Sequence, residues 1–183
     1  MKLFASNAHP ASRRSIKFIA FLAASALVIW FALRVVLWLY TGPTQMSFTQ
    51  SLAAFGLGAW FDIWTLAYLI VPFLLLSIAM PSRWRASRFS HFVRWATVWL
   101  VLYVLLFGTV SEFIFWQEFT TRFNFIAVDY LIYTNEVIGN IRESYPVPLI
   151  LSALALLVST IVWACYRKFK FNDGPYNAKQ RIA

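Results

Sequence analysis

Few residues of this chain could do chemistry, and Asp62 is the one that most needs an explanation. It stands inside a long apolar run. An unpaired carboxylate there costs about 2.5 to 3.5 kcal/mol even on lenient membrane-insertion scales, so it requires a partner or water. Arg34 lies in the preceding apolar run, near the end that leads into Thr41-Gly42-Pro43. With a rise of about 1.5 Å per residue, two antiparallel helices joined there bring both backbones to similar depths, and a long arginine side chain closes the gap. Such a pair has two readings. It lines a polar cavity that receives a lipid headgroup, or it is a structural ion pair that fixes helix packing. Arg34 alone could also snorkel outward.

A second constellation is Arg122, Asp129, Glu136 and Glu143, which recur every seven residues. Phe123, Ile126, Tyr130, Val137, Ile138, Ile141 and Tyr145 recur at helical spacings beside them, so the pattern predicts an amphipathic helix over about 119–145. A spacing of seven sets successive carboxylates about 10.5 Å apart along the axis, too far for one cation. The face is therefore solvated or meets another domain. His9 and His91 have no companions for a zinc or acid–base site. Gly56-x-Gly58 follows no strand, so it serves close helix packing and not nucleotide binding. Cys165 has no partner for an intramolecular disulfide; beside Arg167 it reads as a small apolar interface residue or a palmitoylation site.

The elements that hold these groups follow from composition. Of 183 residues, 61% are hydrophobic, 19% aromatic and 13% charged. A soluble domain of this size cannot hide several runs of about twenty apolar residues, so the bilayer is the solvent. The expected fold is all-α and polytopic, with four spans at about 18–40, 51–80, 95–116 and 147–166. Pro72 lies in the second span, where it kinks or tilts the helix, and Pro146 and Pro148 open the fourth. Residues 1–17 and 167–183 read as basic tails.

The net charge of +9 does not form a nucleic-acid stripe. It falls into clusters beside the spans: Lys2, Arg13, Arg14 and Lys17; Arg83, Arg85, Arg88 and Arg94; Arg167, Lys168 and Lys170. That is the positive-inside arrangement. It predicts a multi-pass protein of the cytoplasmic (inner) membrane with both termini in the cytoplasm. Membrane lipids are the expected partners, and nucleic acid is not one. The segment from Glu112 to Tyr145, with five acids to two basic residues, is then extracytoplasmic.

Phe123-Asn124-Phe125-Ile126-Ala127-Val128-Asp129-Tyr130-Leu131, and Glu136 through Pro146, resemble the segment before the later spans of lipoteichoic-acid-synthase-type, sulfatase-like phosphoglycerol transferases of the alkaline phosphatase superfamily. Gly58, Phe61, Asp62 and Pro72 look like the Gly-x-x-Phe-Asp pattern of the same membrane region. The resemblance covers most of residues 18–166 and implies the membrane-anchoring module of a phosphoglycerol or phosphoethanolamine transferase. In that family a large outer domain carries a divalent metal and a threonine nucleophile. The present chain has no counterpart of that domain, so the resemblance assigns it no catalytic residue and no cofactor. The expectation is a truncated or split form, inactive alone, that works with a separate catalytic domain or protein. The alternative is a stand-alone membrane protein that binds a lipid or protein partner as a regulatory or scaffold subunit.

Overall fold

In hydrocarbon a backbone can satisfy its amides and carbonyls only internally, and an apolar run that crosses it becomes a helix. The computed structural model describes residues 10–42, 47–79, 88–124, 127–128 and 134–168, and is all-helical among them. Four long helices cross: α1 (Pro10–Thr41), α2 (Phe48–Ala79), α3 (Arg88–Phe119) and α5 (Val147–Lys168). A short helix, α4 (Thr134–Ser144), lies between α3 and α5. The protein is a polytopic membrane protein of four apolar helices.

Helix ends explain where the spans exceed expectation. Pro10 begins α1 at a position where its missing N–H is no loss, so the helix takes in part of the expected amino-terminal tail. Gly42, with φ 96°, ends α1 in the left-handed region that suits glycine. A capping box opens α2 three residues before the expected start: the Gln50 N–H donates to Ser47 Oγ (3.3 Å) and the Ser47 N–H to Gln50 Oε1 (2.9 Å). The α3 helix begins at Arg88, seven residues before the expected start, and takes in His91, whose ring meets Tyr166 of α5 edge-on.

The order of packing is α2, α1, α3, α5, each helix against the next. Phe18 and Leu22 of α1, Trp95, Val98 and Leu102 of α3, and Val158 of α5 form the main core. Lipid tails are as apolar as leucine, so what holds this core is close packing plus a few hydrogen bonds between helices. Trp99 Nε1 donates to Ser159 Oγ at 3.0 Å, and Trp38 Nε1 to Ser51 Oγ at 3.1 Å. Alternation of direction gathers one end of α1, α3 and α5 around Lys17, Arg94, Arg167 and Lys168, with no acid among the described residues there. Glu112 and Glu118 lie toward the opposite end of α3, while Asp62 sits near the middle of α2.

The expected helix over 119–145 does not begin at 119. Thr120 adopts φ 53°, and its N–H donates to Trp116 O at 2.8 Å, which closes α3 with a left-handed cap. The chain then reverses, and Phe123 packs on Phe115 with ring centroids 5.1 Å apart. Helix resumes as a described element only at Thr134.

Candidate functional site

Arg34 and Asp62 meet at the seam of α1 and α2. Side chains on a helix lean toward its amino terminus, so on antiparallel helices Arg34 and Asp62 lean toward one another. Arg34 Nη2 donates to Asp62 Oδ2 at 2.7 Å, with the two side chains 9% and 13% exposed. Gly58, one turn before Asp62, makes the approach possible. A β-carbon there would lie 2.5 Å from Arg34 Cζ and Nη2 and closer still to Nε. The guanidinium therefore lies flat across α2 where a side chain is missing. Trp38, one turn from Arg34, closes the seam toward the α1–α2 turn through its bond to Ser51 and an edge-on contact with Phe55.

A second ion pair forms beside the first. Arg122, thrown back by the turn at Thr120, donates through Nε to Glu112 Oε1 of α3. The hydrogen bond to Glu112 holds the Arg122 guanidinium above its ordinary range; burial opposes this, and attraction to Glu112 and then to Asp62 adds to it. Asp62 attracts the Arg122 charge as well, so the two pairs feel one another electrostatically. Nearby, Tyr145 Oη donates to Glu118 Oε1 at 3.3 Å, which ties the entry to α5 to the end of α3.

The four residues read as one polar helix face do not share a helix. Arg122 lies in the non-helical stretch after Thr120 because the left-handed residue breaks the periodicity and Glu112 competes for its charge. Glu136 and Glu143 fall within α4, Glu143 exposed, while Asp129 is outside the described residues. Glu112 and Gly58 are the residues that sequence reasoning did not place in the site. For Glu112 the available signal was position: like Arg34, it is an ionisable residue seven residues before the end of its helix.

Chemically the cluster is a neutral set of donors and acceptors. Arg34 spends one of its five N–H groups on Asp62, its one partner among the described residues. No group of three His, Cys, Asp or Glu residues that could hold a metal occurs among the described residues. No protein-family model, curated protein or solved structure matches the chain.

Proposed function

We propose that this protein is the membrane module of a system that transfers phosphoglycerol or phosphoethanolamine groups, and that its paired arginines and carboxylates hold the headgroup of a phospholipid donor. Bond making belongs to a separate catalytic domain or protein, as the motif resemblance implies. One observation carries the binding role: Arg34 is about nine-tenths buried yet commits a single N–H to Asp62. The rest of its planar fork suits phosphate oxygens. Arg122, half-exposed and attracted by Asp62, is a second cation. The basic end faces the cytoplasm by the positive-inside rule, which turns the cluster outward in the inner membrane.

Native mass spectrometry of the full chain, released from nanodiscs that contain phosphatidylglycerol, phosphatidylethanolamine and a phosphate-free diglycosyl lipid, tests this. Phospholipid should be retained over the glycolipid. Arg122→Gln, a loop change that leaves the helix seam intact, should weaken retention by roughly tenfold, the scale of one lost charge-assisted bond. Equal retention of the glycolipid would reject headgroup recognition. Metal-dependent turnover by the purified chain, free of any larger enzyme, would reject the division of labour.

A further inference from the structure

The side of α2 that turns away from α1 carries an exposed repeat. Leu57, Phe61, Trp64, Tyr68, Val71 and Leu75 follow one another at alternating spacings of four and three, and all are exposed, from 49% at Val71 to 79% at Tyr68. Alternation of four and three is the heptad seam by which two helices wrap left-handedly, the commonest pairing within membranes. Asp62, which bonds α2 to α1, lies on the opposite side, displaced by about 160° from Trp64 at 100° per residue. One face of α2 is thus occupied and the other open.

Depth is the second observation. The midpoint of the 32-residue helix falls between Ile63 and Trp64. A helix of that length is about 48 Å long against about 30 Å of hydrocarbon, so Trp64 and Tyr68 lie well inside and not in an interfacial aromatic belt. Neither the Trp64 N–H nor the Tyr68 O–H meets an acceptor among the described residues. Pro72 has no N–H to give the Tyr68 carbonyl four residues earlier, so an acceptor is freed on the same stripe. Acyl chains satisfy none of these groups.

We infer that α2 is the interface of a two-fold homodimer, packed along Leu57, Phe61, Trp64, Tyr68, Val71 and Leu75 against the same residues of a second copy. An axis along the bilayer normal sets each residue at the depth of its counterpart. The stripe holds both donors and acceptors within roughly one helical turn, about 6 Å of depth: the Trp64 indole, the Tyr68 hydroxyl and the freed Tyr68 carbonyl. It is therefore its own complement, whereas an unrelated apolar helix would leave the donors unpaired.

Single cysteines introduced into the full chain in a Cys165→Ser background, oxidised in native membranes, test the interface. Phe61→Cys, Trp64→Cys, Tyr68→Cys and Val71→Cys should form covalent dimers. Ile63→Cys on another face of α2, and Leu156→Cys on exposed α5, should not. Cross-linking without this pattern, or none, overturns the inference. The paired change Trp64→Phe with Tyr68→Phe keeps both rings and removes both donors. It should weaken dimerisation, followed by energy transfer between labelled copies in liposomes, about threefold to tenfold. An unchanged dimer, or transfer that never exceeds random encounter at any protein density, also overturns it.

Discussion

Arg34 crosses the α1–α2 seam by a route that depends on the missing side chain at Gly58 and ends on the carboxylate of Asp62 one turn farther along. The pair offsets a desolvation cost that either charge alone could not meet. Arg34→Ala or Asp62→Ala alone should therefore destabilise the detergent-solubilised protein by about 3 kcal/mol, because the survivor is left buried and unpaired. The double variant should lose less than the sum of the two. Gly58→Ala acts through the same contact: its methyl group displaces the flexible guanidinium tip. It should cost stability with Asp62 present and much less beside Asp62→Asn. Thermal unfolding of the set decides the matter, and additive losses would mean that the seam does not depend on the ion pair.

At the scale of elements, the connection from α3 to α5 is held by its two ends. Thr120 in the left-handed region costs about 1 to 2 kcal/mol for a residue with a β-carbon, offset locally by its cap bond to Trp116, the Phe115–Phe123 contact and the Arg122–Glu112 pair. At the other end, desolvation first, then the hydrogen bond and repulsion from Glu118, raise the Tyr145 phenol above its ordinary 10.0. A raised folded value means that the neutral phenol is the form the fold favours. Its contribution is whole below the unfolded value and is lost as pH rises through the folded one. Between about pH 9 and 11.5 the wild-type protein should thus lose melting temperature more steeply than Tyr145→Phe, which has no proton to lose there. Parallel profiles of the two proteins would show that the contact to Glu118 contributes nothing.

For the whole molecule, separation of charge between the ends governs orientation. Lys17, Arg94, Arg167 and Lys168 gather at one end, and Glu112 and Glu118 lie toward the other. By the positive-inside rule, cysteines placed at Thr44 and Asn135 should react with an impermeant thiol reagent in intact cells, and one at Ser87 only after permeabilisation. The reverse pattern would invert the proposed topology and place the charged cluster in the cytoplasm. Packing order gives α2 a special position, because α1 is its principal neighbour and Asp62 its principal polar attachment. Loss of the Arg34 bond and loss of a second copy would therefore both be felt first by this helix.

The amino-acid sequence determined the four crossings, because a run of about twenty apolar residues has no other stable solution in lipid. It also narrowed the partner of Asp62, since a buried carboxylate needs a cation and Arg34 is the one that the turn at Gly42 folds back to it. Tertiary structure decided the rest. One left-handed residue, Thr120, interrupts near its start the separate helix that periodicity predicts over about 119–145, and it turns Arg122 from a member of a heptad face into the partner of Glu112. A repeat of seven reports which residues would share a face if the helix held; it does not report whether an ion pair nearby offers the charge a better place. Packing order was hidden for a related reason. Helices surrounded by lipid are apolar on every side, so hydrophobic periodicity could not tell which face of α2 met α1 and which was left open.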